Sequence, residues 1–125
     1  MDLNVFFQSV IEQDTAPIVL CDLDHTIVYL NPAAAKRYGY AGGADMVGRS
    51  LMNCHNMESR ELIEKCLQWF AADERNNIVH ESYNPKENKD VYIIALRDKS
   101  KNLIGYYEKH EYRTRDTGEF YNFTD

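Results

Sequence analysis

The last third of the chain constrains the fold most. Three runs, Ile78–Tyr83, Val91–Arg97 and Leu103–Tyr112, are rich in β-branched and aromatic residues. They are separated by Asn84-Pro85-Lys86-Glu87-Asn88 and by Asp98-Lys99-Ser100-Lys101-Asn102. Asn, Asp, Pro and Ser are turn formers, through Asx hydrogen bonds and a preset φ. A parallel crossover needs roughly a dozen residues or more, so connections this short force antiparallel neighbours.

The preceding residues supply helices and one more hairpin. Leu3, Phe6, Phe7, Val10 and Ile11 share one face at helical spacing over residues 3–12, and Asp2 caps the start. Thr15-Ala16-Pro17 ends that helix. Ile18–Cys21 and Thr26–Leu30 read as strands joined by the turn Asp22-Leu23-Asp24-His25. Asn31-Pro32 then starts a short helix, with Asn as N-cap and Pro at the first helical position. Gly39 stops it, and short turns fill residues 44–54. A longer helix follows from Asn56 or Ser59 to about Ala72, with Leu62, Ile63, Cys66, Leu67, Trp69 and Phe70 as a broad apolar face. The order is α+β: one antiparallel sheet with helices on one face. Residues 1–14 form the N-terminal helix, 15–113 the domain, and 114–125 a loosely docked tail.

Composition removes several function classes. The 125 residues suit a single domain. Fourteen basic against twenty acidic residues give a net charge of −6 without a basic stripe, which argues against a nucleic-acid partner. No apolar run approaches the roughly 18 residues of a membrane span, and the acidic start is unlike a signal peptide. A cytoplasmic location is expected. Cys21, Cys54 and Cys66 are odd in number and lack C-x-x-C spacing, so neither a disulfide framework nor a zinc knuckle is supported.

Three segments in order resemble the PAS sensor-domain family. They are Ile27-Val28-Tyr29-Leu30-Asn31-Pro32-Ala33-Ala34-Ala35 with Tyr38-Gly39-Tyr40, then Val47-Gly48-Arg49-Ser50-Leu51, then Ala95-Leu96-Arg97-Asp98. The resemblance covers roughly residues 16–112. With Cys54-His55-Asn56, the chain looks most like small free-standing bacterial PAS proteins. The resemblance implies a PAS-like fold with a five-stranded antiparallel sheet in the order 2-1-5-4-3. It also implies a small pocket between the sheet and the helices, and a sensor that is not an enzyme. Many PAS domains end in Asp-Ile-Thr before an effector. Here that place reads Glu111-Tyr112-Arg113-Thr114, so the expected target is a separate signalling polypeptide.

The sharpest rival is Asp22-Leu23-Asp24-His25-Thr26-Ile27 after an apolar strand. This D-x-D-x-T pattern resembles the nucleophile motif of HAD phosphohydrolases, where one Asp attacks phosphorus and the other is the general acid. That chemistry belongs to a parallel doubly wound sheet, which strands in immediate succession do not build. The alternative is a turn in which Asp bonds its own backbone and His accepts a left-handed conformation.

The implied pocket draws on Val19, Cys21, Leu51, Cys54, Ile63, Cys66, Val91, Ile93, Tyr106, Glu108 and His110 as candidate ligand-binding residues. Flavin light sensors carry a reactive Cys where this chain has Leu51, so a flavin adduct is not expected. Haem-binding PAS domains place the ligating His on the long helix, and residues 57–72 contain none. Cys54 and His55 are adjacent, so on a regular element they point apart, and Cys54 reads as a packing residue. Tyr106, Glu108, His110 and Tyr112 share one face of the last strand, which would set Glu108 and His110 near Val91 and Ile93. A buried charge needs a partner or must be neutral, so this Glu–His pair would suit a polar ligand group; solvated strand ends are the alternative. Lys86–Asp90 reads as a solvated hairpin loop.

On the other sheet face Tyr92, Ile94, Leu96 and Tyr107 form an apolar strip. An apolar strip of that width is an interface. A homodimer is expected through Leu3, Phe6, Phe7, Val10, Tyr92, Ile94 and Tyr107. The functional expectation is a sensor binding an unidentified small molecule, with a ligandless dimerisation module as the alternative.

Overall fold

The computed structural model describes residues 1–124, apart from the side chain of Cys54. Its regular elements are helix α1 (Leu3–Gln13), strands β1 (Val19–Asp22) and β2 (Ile27–Leu30), helices α2 (Pro32–Arg37) and α3 (Met57–Ala72), and strands β3 (Ile78–Asn84), β4 (Lys89–Arg97) and β5 (Leu103–Tyr112). Three 3-10 turns, Gly39–Ala41, Gly43–Met46 and Leu51–Cys54, bridge α2 to α3. The strands form one sheet in the order β2-β1-β5-β4-β3. The pairings β1–β2, β1–β5, β3–β4 and β4–β5 are antiparallel.

The turns close as their residues dictate. Asp98 Oδ1 accepts from the amides of Ser100 and Asn102 at 2.9 and 3.0 Å, and Lys101 takes φ +70°. Asn88 takes φ +49° at the β3–β4 turn. In the first hairpin Asp22 Oδ1 accepts from the amides of Asp24 and Thr26 at 2.9 and 3.0 Å, and His25 takes φ +66°. The D-x-D segment is therefore a turn between antiparallel strands. The phosphohydrolase alternative expected a parallel doubly wound sheet, and the motif instead lies in a hairpin of an antiparallel one, with Asp22 Oδ1 capping its own turn.

Two close contacts set how the parts meet. Asn31 is completely buried. Its Oδ1 accepts from Ala34 N at 2.9 Å, capping α2, and from Ile18 N at 3.0 Å. Its Nδ2 donates to the carbonyls of Ile11 and Ala16 at 3.0 Å each. One amide thus joins the end of α1, the entry to β1 and the start of α2. Gly105 lies opposite Asp22 in the β1–β5 ladder, and a Cβ there would sit 2.1 Å from the Cys21 carbonyl oxygen. Only glycine permits that approach.

Helix α3 covers the inner face with Ile63, Leu67 and Phe70, all buried, against Ile93 and Tyr106. Its apolar face is narrower than the sequence suggests: Leu62 is 53% exposed and Trp69 45%. Helix α1 has no buried residue, and Leu3, Phe6, Phe7 and Val10 are all exposed. Glu12 holds it to Tyr29 by a hydrogen bond. No helix among the described residues is long and apolar enough to cross a membrane.

Replacing Asn31 by Ala removes a cap and strands the part-buried Ile18 amide. We expect a loss of about 3 kcal/mol in urea unfolding, against roughly 1 kcal/mol for a cap alone. A loss no larger than that of an ordinary cap would show that the Ile18 and α1 bonds contribute nothing.

Candidate functional site

The inner face of the sheet alternates with the strand pleat. On β5 Tyr106 and His110 are buried and Glu108 is half-buried, opposite Ala95, Val91 and Ile93 of β4 respectively. The helices and 3-10 turns stand off this face and leave a cavity of about 210 Å3. Its apolar body is made by Val19 of β1, Met46, Leu51, Ile63 of α3 and Ile93. Tyr38 and Tyr40 close the side near α2, and His55 the side near α3. Its polar end is Glu108 and His110, which also face an adjoining cleft with Arg37, Glu81, Lys89 and Val91.

The polar end is built on a buried ammonium. Lys89 is 2% exposed, so the segment read as a solvated loop in fact turns inward at this residue. Burial is possible because Lys89 Nζ donates to His110 Nδ1 at 2.9 Å and pairs with Glu87 Oε2 at 3.1 Å. Arg37 grips Glu87 through both guanidinium ends, at 2.8 and 2.9 Å. Those contacts hold the Glu87 carboxyl down at about 2, Arg37 first and Lys89 second.

The Lys89 bond also sets the state of His110. An ammonium only donates, so Nδ1 accepts and the ring proton lies on Nε2. Burial, with the Lys89 and Arg37 cations, pushes the imidazole down to about 4, so the ring is neutral near pH 7. Nε2 lies 3.8 Å from Glu108 Oε1, beyond hydrogen-bond reach. Burial first, and the Glu81 carboxylate second, push Glu108 up to about 7. Glu81 sits at the β3 bulge, between the paired residues His80 and Ser82, and burial raises its carboxyl as well.

A second network lies behind the cavity wall. His25, buried at its left-handed turn position, bonds Tyr106 Oη through Nδ1 at 2.7 Å and Glu64 Oε1 through Nε2 at 2.6 Å. It ties the first hairpin to α3 and β5, and fixes the Tyr106 ring that lines the cavity. Burial pushes the Cys21 thiol up to about 12, opposed by its bond to Tyr106. Burial raises Cys66 as well. Neither thiol is activated as a nucleophile.

Of the residues expected in the pocket, Val19, Leu51, Ile63, Ile93, Tyr106, Glu108 and His110 line the cavity together. Val91 lines the adjoining cleft. Cys21 belongs to the core behind the wall. Cys66 faces a separate groove between α3 and β3. Cys54 lies outside the described side chains. The sequence reading missed Tyr38, Tyr40, Met46 and His55. It also missed Lys89, although the alternation that put Val91 and Ile93 inward puts Lys89 inward too. Among the described residues no cluster of three or more His, Cys, Asp or Glu side chains could hold a metal ion. On the outer face Tyr92, Ile94 and Tyr107 are half-buried, and Leu3, Phe6, Phe7 and Val10 of α1 are exposed.

Two opposed pH dependences follow. Glu108 is raised, so its contribution is full below the ordinary carboxyl value near 4.5 and is lost as pH rises through about 7. His110 is depressed, so its contribution is present above 6.5 and is lost as pH falls through about 4. Glu108→Gln removes the first limb only. We expect it to gain about 2 kcal/mol over the parent at pH 8 and close to nothing at pH 4.5, by urea unfolding. An equal effect at both pH values would place Glu108 in an ordinary solvated setting.

The comparisons agree with this architecture. The PAS domain family profile matches residues 15–108. No curated protein matches the chain. Among solved structures, the PAS domain of a protein from Colwellia psychrerythraea is 15% identical, with TM-score 0.64, covering 90% of this chain and 98% of its own. The PAS domain of Bordetella pertussis BvgS is 21% identical, with TM-score 0.61 and coverages of 92% and 89%. A sensory box sensor histidine kinase from Vibrio cholerae is 12% identical, with TM-score 0.61 and coverages of 90% and 93%. The family match runs from the entry to β1 into β5, through the strands and helices that enclose the cavity, and the chain belongs to the PAS domain family.

Proposed function

We propose that this PAS domain is a sensor that binds a small molecule in the cavity between sheet and helices and performs no catalysis of its own. The observation that carries the reading is the cavity with an apolar body and one polar end, onto which His110 Nε2–H opens with no hydrogen-bond partner among the described residues. A site of this kind is the usual form of a small-ligand pocket. The family supports it, since one solved relative is a sensor histidine kinase. Free Cys21 and Cys66 fit a reducing, cytoplasmic setting.

The signal would leave through the exposed apolar side chains of α1 and the half-buried ones of the outer sheet face. Leu3, Phe6, Phe7 and Val10 of α1, with Tyr92, Ile94 and Tyr107 of the outer face, fit a second copy of the chain, and a separate signalling protein would use the same surface. That exposed α1 face also favours a second reading, a ligandless dimerisation module.

Native mass spectrometry of protein purified without added ligand separates the two. A discrete adduct that Ala41→Phe abolishes, by filling the cavity, supports the sensor. The parent free of any adduct in every preparation, with a dimer by light scattering, supports the ligandless module. Phe6→Glu with Phe7→Glu is expected to give a monomer by light scattering at micromolar concentration. An unchanged mass would remove α1 from the interface.

A further inference from the structure

We propose that the ligand is a small monocarboxylate, seated with its carboxylate between Glu108 and His110 and its apolar body against Leu51, Ile63 and Ile93. This rests on the reading of the cavity as a ligand site and names the chemistry that the site selects.

The argument begins at Lys89. Its ammonium occupies His110 Nδ1 at 2.9 Å, so the imidazole can offer the cavity only a donor. That donor, Nε2–H, belongs to a side chain 5% exposed, and Glu108 Oε1 is 3.8 Å away. The N–H is open to the cavity rather than sealed in the core, since no fully buried side-chain N or O among the described residues lacks a partner, and a ligand acceptor would take the place of water there. Glu108 supplies the second contact. Its carboxyl is largely protonated below about pH 7, so it donates as well. Two donors that converge on one point fit the two oxygens of a carboxylate.

The surrounding charges agree. Lys89 stands directly behind His110, and Arg37 lies on the same cleft, both shared with the single carboxylate of Glu87. Glu81 of β3 is the opposing acid, and its carboxyl is itself raised. Tyr38, Tyr40, Tyr106 and His55 are further titratable groups around the cavity, and burial pushes Tyr38 up to about 12 and His55 down. Tyr38 and His55 are thereby held neutral near pH 7. A ligand ammonium would face Lys89, Arg37 and an N–H that cannot turn into an acceptor. A neutral amide could satisfy His110 but would gain little from the two cations.

An anion beside Glu108 requires that Glu108 hold its proton. Carboxylate binding therefore takes up a proton above pH 7, and affinity falls as pH rises, by up to about tenfold per unit. Binding an amide or an amine takes up none.

The test uses the full chain with benzoate, hexanoate, benzamide and benzylamine, by calorimetry at pH 6 and 8 in buffers of different ionisation enthalpy. We expect at least one carboxylate to bind at least tenfold more tightly than benzamide or benzylamine at pH 6. Its affinity should weaken at pH 8 with uptake of up to one proton. Glu108→Gln, which keeps a donor, should bind at pH 8 with no proton uptake. His110→Phe should lose tenfold or more at pH 6 while its circular dichroism is unchanged. Tighter binding of benzylamine or benzamide would overturn the carboxylate assignment and leave the sensor reading standing. Carboxylate affinity independent of pH, or unmoved in His110→Phe, would overturn it as well. Binding of none of the four, with the native adduct still present, would do the same. Binding of none, with no adduct, would overturn the sensor reading too.

Discussion

The approach of β1 to β5 at Gly105 governs the rest of the molecule. These strands lie more than eighty residues apart in sequence, yet Cys21 pairs with Tyr106 and Leu20 with Tyr107 across their ladder. The absence of a Cβ at Gly105 lets the Cys21 carbonyl come close. That contact inserts the first hairpin beside the last strand, and places β2 and β3 at the two edges. Without it the three-stranded meander of the last third would have an open edge at β5, and the cavity would lose the wall made by Val19. The His25 network depends on the same approach, because it joins the hairpin turn to Tyr106 on the far strand.

The site is then a problem of burying charge. Five ionisable groups, Arg37, Glu87, Lys89, Glu108 and His110, meet near the β4–β5 end of the inner face. Glu87 alone offsets two cations, and the lysine spends a further donor on a neutral imidazole. Each group is tolerable because its neighbour takes the complementary state. Glu108 receives no direct lysine or arginine contact, and burial pushes its carboxyl up to about 7. It differs from a plain structural ion pair, since His110 Nε2–H opens on the cavity with no hydrogen-bond partner among the described residues.

Parts of this were legible beforehand, each for a local reason. The antiparallel last third followed from two five-residue connections. Asn31 as an N-cap and Pro32 at the first helical position followed from backbone hydrogen bonding. The turn at Asp22–His25 followed from Asx chemistry and the tolerance of His for φ above zero. The inward set Tyr106, Glu108 and His110 followed from strand alternation. The misses were of another kind. Lys89 was read by its type, as a charge in a loop, rather than by its place on the pleat. Leu62 and Trp69 were read as core because a helical wheel does not say how wide the covered stripe is. Cys66 was read into the cavity, whereas its turn of α3 faces β3. Tyr38 and Tyr40 lie in irregular turns, where no periodicity predicts direction.

The sequence by itself determined the elements, their short-range pairing, the turn conformations and the inward set Tyr106, Glu108 and His110 of β5. These are decided within a few residues, by φ preference, by side-chain bonds to nearby amides, and by periods of 2 and 3.6. Tertiary structure alone decided that β1 joins β5, that His25 reaches both Glu64 and Tyr106, and that Lys89 is buried against His110 and Glu87. Those contacts depend on how separate elements share one interior, where the cost of an unpaired charge or donor is set by neighbours distant in the chain.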